Sequence, residues 1–124
     1  MDKLKILVVD DETRMRKLVK DFLVKNNYDV VEAEDGEKAV DIFFNSNDIA
    51  LIILDVMMPK INGYKISRLL KYDNKYKDIP IIMVTARSQM EDKMIGEETG
   101  VNEYITKPFE LEQIVKKVEE YLND

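Results

Sequence analysis

Apolar runs of strand length alternate with amphipathic stretches of helix length along the whole chain, and this alternation constrains the fold more than any other feature. The apolar runs predict five strands, at 4–9, 28–33, 49–54, 81–84 and 103–106. The intervening stretches predict five helices, at 13–26, after Asp35, after Gly63, at 89–99 and after Pro108. Such an alternation predicts an α/β fold with a parallel sheet and right-handed crossovers.

Each predicted helix except the fourth has a well-developed apolar face. The residues expected to face the core are Met15, Leu18, Val19, Phe22 and Leu23 in the first helix, Ala39, Val40, Phe43 and Phe44 in the second, Tyr64, Ile66, Leu69 and Leu70 in the third, and Leu111, Ile114, Val115, Val118, Tyr121 and Leu122 in the last. The fourth stretch has a sparse apolar set and contains Gly96, which lowers helix stability by about 1 kcal/mol relative to alanine. Gly63, between the loop and the third helix, is expected to be a turn residue with positive φ.

The composition excludes several kinds of functional site. The 124 residues fit one domain, predicted to span 1–124. Cysteine and histidine are both absent, so the usual ligands of zinc and the usual proton carrier of acid–base catalysis are missing. A net charge of −6 argues against direct binding to nucleic acid. Because no apolar run approaches bilayer-spanning length, we expect a cytoplasmic protein that does not bind membranes.

Polar side chains follow four of the predicted strands at the point where each strand ends. They are Asp10 and Asp11 after the first, Asp55 after the third, Thr85 after the fourth and Lys107 after the fifth. In an open parallel sheet these ends lie along one edge, where ligands bind at the switch point of strand order. The sequence therefore predicts that these five residues meet.

Three of these residues are acids, and their convergence predicts a metal site. Carboxylates about 4 Å apart repel by roughly 1 to 4 kcal/mol per pair, so a cation or proton must neutralise them. Oxygen ligands without histidine or cysteine select a hard ion, and a few carboxylates with water suit Mg²⁺. Each residue alone also allows a simpler interpretation: Asp10 and Asp11 as a helix-capping loop, Thr85 as a strand residue, and Lys107 as a surface lysine.

Four segments together resemble the receiver domains of bacterial response regulators. They are 8–12, 54–59 with Gly63, 84–86 and 104–109, in the family's order and at the family's spacing. The resemblance covers the whole chain. It implies a flavodoxin-like, doubly wound sheet of five parallel strands in the order 2-1-3-4-5, flanked by five helices.

The resemblance also implies roles for individual residues. Asp55 would accept a phosphoryl group from a phosphohistidine, while Asp10, Asp11, Asp55 and the backbone carbonyl of Met57 would hold Mg²⁺. Lys107, preceding a cis proline, would contact a phosphoryl oxygen. Two residues would form the switch: the hydroxyl of Thr85 would move to the phosphoryl group and Tyr104 would move inward behind it, although Tyr104 could also be an ordinary strand aromatic.

The implied partners are a sensor histidine kinase or phosphotransfer protein and a downstream effector protein or domain. We expect a monomer or a phosphorylation-dependent dimer, and the chain would be a signalling switch rather than an enzyme.

The start of the first helix (Arg14, Met15, Leu18) would dock the kinase, although Leu18 fits the core better. The face with Ile95, Tyr104 and Lys116 would read out the switch, and the segment 89–100 would be its soft element. Met57 and Arg87 occupy positions that tune dephosphorylation, and an apolar Met57 predicts slow loss of phosphate.

Two other functions compete with this one. An aspartyl-phosphate phosphohydrolase would have a second acid two residues after its nucleophile, where this chain has Met57. A flavodoxin relative would have small hydroxyl residues after its first strand, where this chain has three acids at 10–12 that would repel a flavin phosphate.

Overall fold

A computed structural model describes residues 3–58, 61–86 and 101–122, and strands and helices alternate through them. The strands are β1 (Lys5–Val9), β2 (Asp29–Ala33), β3 (Ile49–Asp55), β4 (Ile81–Ala86) and β5 (Glu103–Lys107). The helices are α1 (Thr13–Lys25), α2 (Gly36–Phe44), α3 (Gly63–Lys71) and α4 (Leu111–Leu122). The helix predicted at 89–99 lies outside the described residues.

All strand pairs are parallel, and the sheet has the order β2-β1-β3-β4-β5. This confirms the predicted doubly wound, flavodoxin-like topology. The order reverses between β1 and β3, where the chain crosses from one half of the sheet to the other. The register pairs Val9 with Leu54, so the residues that follow β1 lie beside the end of β3.

The two faces of the sheet bury separate apolar clusters, because the strands present alternate side chains to opposite sides. On one face, Ala39 and Phe43 of α2 and Ile66 of α3 pack with Leu7 and Ile52 of the sheet. On the other face the helices are α1 and α4, which bury Val19, Leu23, Ile114 and Val118 against the sheet. Strands covered on both sides need continuous apolar runs, and β3 shows one.

Side-chain caps begin two of the helices. The carboxylate of Asp35 accepts a hydrogen bond from the backbone N–H of Lys38 at 2.9 Å, which confirms the predicted start of α2. The side chain of Asn62 accepts one from the N–H of Lys65 at 3.0 Å at the start of α3. None of the helices in the described part of the chain has the length and hydropathy that crossing a bilayer requires.

Three residues predicted to face the core are largely exposed: Leu18 at 45%, Phe44 at 41% and Leu69 at 40%. Leu18 directly precedes the buried Val19, and Leu69 directly precedes the buried Leu70. Successive residues of a helix are rotated by about 100°, so the neighbour of a buried side chain can face solvent. Phe44 is the last residue of α2. The side chain that continues the buried stripe of α1 is instead Arg16, three residues before Val19.

The prediction that Gly63 is a turn residue with positive φ was wrong. Gly63 does not have a positive φ; it is the first residue of α3, and its N–H donates to the carbonyl of Val56 at 3.0 Å. A Cβ there would lie 2.8 Å from the backbone oxygen of Asp55 and 2.9 Å from the sulfur of Met83. Glycine therefore permits α3 to begin directly against the end of β3.

Candidate functional site

Three carboxylates gather at the carboxyl edge of the sheet, between β1 and β3. One oxygen from each of Asp10, Asp11 and Asp55 lies within 4.8 Å of the others. Asp10 and Asp55 are buried, with 7% and 6% exposed, whereas Asp11 faces solvent. The parallel pairing of β1 with β3 positions the cluster, because Asp10 follows Val9 and Asp55 follows Leu54 in paired strands.

Asp10 is held by its own loop. Its side chain accepts a hydrogen bond from the N–H of Glu12 at 2.9 Å, and its backbone N–H donates to the carbonyl of Ala33 at 3.2 Å. Burial raises the pKa of Asp10 to about 6, and the charge of Asp55 adds to this effect, while the Glu12 N–H and Lys107 oppose it. The neighbouring acids thus add to an effect that burial dominates.

Lys107 supplies positive charge to the site. It ends β5, two strands from β3, and its Nζ donates to Oδ2 of Asp55 at 3.0 Å. Burial alone would lower the pKa of Lys107, but the hydrogen bond and charge of Asp55, with the charge of Asp10, outweigh it and raise the pKa. The Lys107–Pro108 peptide bond is cis, as the resemblance implied.

The second carboxylate oxygen of Asp55 also has a donor. The backbone N–H of Met57 donates to Oδ1 at 3.2 Å. Met57 is itself 63% exposed. The backbone of Met57 therefore lies beside the carboxylate cluster, where its carbonyl was expected to serve as a ligand.

Thr85 and Tyr104, the two residues expected to form a switch, lie on the neighbouring strands β4 and β5. Thr85 is 1% exposed and its hydroxyl donates to the carbonyl of Ala86 at 3.3 Å. Strand β4 continues through Ala86, two residues beyond its predicted end at Val84. Tyr104 is partly buried and packs against the apolar cluster beneath α2 and α3. Their proposed movements stay predictions.

Sequence reasoning missed Arg16, which contacts the backbone of the loop that carries Asp10 and Asp11. Its guanidinium donates from one terminal nitrogen to the backbone carbonyl of Asp10 at 2.8 Å and from Nε to Glu32 at 3.0 Å. Lys20 also pairs with Glu32, at 3.2 Å. Burial tends to raise the pKa of Glu32, but Arg16 and Lys20 lower it overall. The available signal was the spacing of Arg16 with Val19 and Leu23 on one helical face.

The donor set fits a hard divalent cation. The chain has no histidine or cysteine, and the grouped side chains offer only carboxylate oxygens. Such ligands suit Mg²⁺ and not zinc or a soft metal. Lys107 neutralises one charge of the cluster, which leaves excess negative charge for a cation to balance.

Comparison with known proteins identifies the family. The model of the response regulator receiver domain matches residues 6–119. The chain therefore belongs to the response regulator receiver domain family. Phosphorylation and dependence on Mg²⁺ are general properties of this family, whose members act as switches in two-component signalling and interact with histidine kinases and effectors.

Individual relatives are of two lengths. The chain is 44% identical over 121 residues to a probable transcriptional regulator ycf27 of Porphyridium aerugineum, matching 95% of the chain but 49% of that protein. It is 38% identical over 120 residues to a chemotaxis protein CheY homolog of Campylobacter jejuni, matching 96% of the chain and 92% of that protein. The chain thus spans about half the length of some relatives and nearly all of others.

Solved structures of receiver domains superimpose on the fold. The chemotaxis response regulator CheY4 of Vibrio cholerae aligns with a TM-score of 0.90 and 31% identity, covering 97% of this chain and 99% of that one. A putative response regulator from Chloroflexus aurantiacus aligns with a TM-score of 0.91 and 31% identity, covering 98% and 99%. These matches favour the receiver function over the phosphohydrolase and flavodoxin alternatives.

We expect Arg16→Ala to lower the free energy of unfolding by about 1–3 kcal/mol, because it leaves the Asp10 carbonyl without its side-chain donor and leaves Glu32 with Lys20 alone. Urea denaturation monitored by circular dichroism measures the change. Lys17→Ala, at the exposed next position of α1, should stay within about 0.5 kcal/mol of the wild type. Equal effects of the two substitutions would contradict the supporting role of Arg16.

Proposed function

We propose that Asp55 accepts the phosphoryl group in a Mg²⁺-dependent reaction with the phosphohistidine of a sensor kinase or phosphotransfer protein. One arrangement carries this proposal: Asp55 lies among three converging carboxylates while Lys107 Nζ lies 3.0 Å from its Oδ2. An acid at this position has both a neighbouring cation and a carboxylate set able to bind a metal. Asp10 and Asp11 have no comparable contact with Lys107 among the hydrogen bonds of the described residues.

The transfer is a simple exchange of bonds at phosphorus. A carboxylate oxygen of Asp55 forms a bond to phosphorus as the phosphorus–nitrogen bond of the donor breaks, and the donor imidazole leaves and takes up a proton. The protein has little covalent work in such a reaction, so positioning and charge neutralisation dominate. Lys107 is placed to contact an oxygen of the transferred group as a compact point charge.

The metal would be held by Asp10, Asp11 and Asp55 with the backbone carbonyl of Met57. Bound Mg²⁺ supplies the positive charge that allows an anionic carboxylate to approach an anionic phosphoryl group. Asp10 and Asp55 are both buried, which strengthens their interaction with a cation relative to water.

Phosphorylation would convert Asp55 into a group with about −1.5 to −2 charge and new acceptor oxygens. The buried hydroxyl of Thr85, on the adjacent strand β4, is the proposed donor to one of them. Tyr104 pairs with Met83 on β4, two residues before Thr85, and would respond to the movement of Thr85. The segment 89–100, outside the described residues, is the proposed soft element that follows.

The chain is proposed to work in the cytoplasm as one receiver domain over 1–124. It would signal to an effector protein or an attached effector domain, as a monomer or a phosphorylation-dependent dimer, without itself binding nucleic acid or membrane. The exposed side chain of Leu18 supports the start of α1 as the kinase-docking surface, since the structure leaves this leucine uncovered. Beyond its own phosphotransfer, the domain would catalyse only slow dephosphorylation.

Incubation with acetyl phosphate and Mg²⁺ should add one phosphoryl group to the wild type, detected by intact-mass spectrometry. Asp55→Asn should lose the adduct because an amide oxygen is a far weaker nucleophile than a carboxylate. Peptide mapping should locate the group on Asp55.

Asp21→Asn, which removes an exposed acid of α1 outside the cluster, serves as the matched control and should keep the adduct. Chelation of Mg²⁺ should abolish the adduct in both the wild type and Asp21→Asn. An adduct of undiminished yield in Asp55→Asn, or one indifferent to chelation, would rule the proposal out.

The exposed thioether of Met57 cannot orient an attacking water, so the phosphorylated domain should persist for longer than seconds without a phosphatase. Met57→Asn places an amide beside the acyl phosphate and should shorten the lifetime roughly tenfold by positioning water. Met57→Leu is the apolar control and should behave as the wild type. Loss of the adduct is followed by mass spectrometry after removal of acetyl phosphate; decay of the wild type within seconds would show that Met57 does not slow it.

A further inference from the structure

A groove of about 950 Å³ runs along the outer side of α3 and reaches the end of α2, away from the carboxylate cluster. Phe44 of α2 forms one side, and Lys65, Arg68 and Leu69 of α3 with the following Tyr72 and Asp73 form the other. From Lys65 to Tyr72 this second side covers about 10 Å of helix, or two turns. We call this surface the α2–α3 groove.

The groove concentrates exposed apolar side chains. Phe44, Leu69 and Tyr72 are 41%, 40% and 77% exposed, and they are three of the seven large exposed hydrophobic residues in the described ranges. Contiguous apolar surface of this kind marks interaction sites on globular domains. Aromatic side chains are also the residues most often found as anchors in protein interfaces.

Phe44 is preorganised for contact. Its ring packs edge-on against Tyr76 with centroids 5.3 Å apart, and it lies 4.7 Å from the ring of Phe43. Tyr76 is itself only 4% exposed and donates its hydroxyl to the carbonyl of Ser46 at 3.1 Å. A ring fixed in this way loses little conformational entropy when a partner covers it.

The charge around the groove is opposite to that of the whole chain. Residues 61–77 contain one acid, Asp73, and five basic residues: Lys65, Arg68, Lys71, Lys75 and Lys77. The complete chain has a net charge of −6. Of these, Lys65, Arg68 and Asp73 line the groove, which gives the lining one net positive charge. Neither Lys65 nor Arg68 forms a side-chain ion pair with another described residue. Apolar anchors with unpaired cations beside them complement a surface that is apolar in the centre and acidic at its rim.

From these observations we propose that the α2–α3 groove docks an acidic amphipathic helix of a protein partner, with aliphatic or aromatic residues on one face and Asp or Glu beside them. A second helix laid along two turns of α3 would place anchors at i, i+3 or i+4, and i+7 into the groove. The proposal does not depend on phosphorylation of Asp55, since the groove is formed in the unphosphorylated domain.

Other occupants are distinguished by their shape and by the test below. The basic residues of this face would also attract an anionic bilayer, but a planar surface does not enter a groove between two helices, and vesicle binding is measured as a separate outcome. A second copy would meet the groove with a different surface, such as the acidic residues of α4, and such a heterologous contact produces rings or open chains of molecules rather than two-fold dimers.

The test uses a synthetic helical peptide with leucine or phenylalanine at positions i, i+4, i+7 and i+11 and glutamate at the flanking positions. Titration into the ¹⁵N-labelled domain should give micromolar binding, with amide shifts concentrated at Phe44 and along α3. The same peptide with lysine in place of glutamate should bind at least about tenfold more weakly, because its charge matches that of Lys65 and Arg68.

Arg68→Glu should weaken binding of the acidic peptide about tenfold or more. Lys71→Glu is the matched control, because it removes a cation from the same last turn of α3 but does not line the groove; it should change the affinity less than about threefold. Circular dichroism confirms that both variants fold. Equal binding of the two peptides, equal effects of the two variants, or shifts centred elsewhere would overturn the proposal. Self-association of the wild-type domain that Tyr72→Ala abolishes would also overturn the proposal. Binding of the domain to phosphatidylglycerol vesicles through the groove would overturn it as well.

Discussion

The mutual repulsion of Asp10, Asp11 and Asp55 is the constraint on which the functional edge of this receiver domain depends. The parallel pairing of β1 with β3 brings them together, since Asp10 follows Val9 and Asp55 follows Leu54, the partner of Val9. Each pair of carboxylates at such distances is unfavourable by about 1–4 kcal/mol. The apolar clusters on both faces of the sheet supply the stability that holds the acids in place, and Lys107 compensates part of their charge. A bound cation can balance the negative charge that Lys107 leaves uncompensated.

The strand pattern and the acids after the strands were predictable because both follow from simple geometry. Unbroken apolar runs such as Ile49 to Leu54 identify buried parallel strands, and such strands end on one edge. That edge is where Asp10, Asp55 and Lys107 meet in the structure. The strand order came from the family resemblance and not from periodicity, since a parallel sheet of five strands allows several orders that bury the same residues.

Other features could not be predicted because they depend on the rotation of helices and on close contacts between segments distant in sequence. Leu18 and Val19 are adjacent and both apolar, and only the packing of α1 decides that Leu18 is exposed while Arg16 is buried. Gly63 was assigned to a turn, but its requirement is the nearby backbone of Asp55. The α2–α3 groove joins Phe44 to residues that follow it by more than twenty positions, and its charge is visible only when they are seen together.

The most direct test of the carboxylate cluster is the dependence of stability on Mg²⁺, measured by urea unfolding of the unphosphorylated domain. If the three acids form a cation site, the free energy of unfolding of the wild type should rise with Mg²⁺, by about 2.7 kcal/mol at 100 times the dissociation constant. Asp11→Asn, which alters the exposed member of the cluster, should show a much smaller rise. A wild-type stability unaffected by Mg²⁺, or an equal rise in Asp11→Asn, would contradict the account.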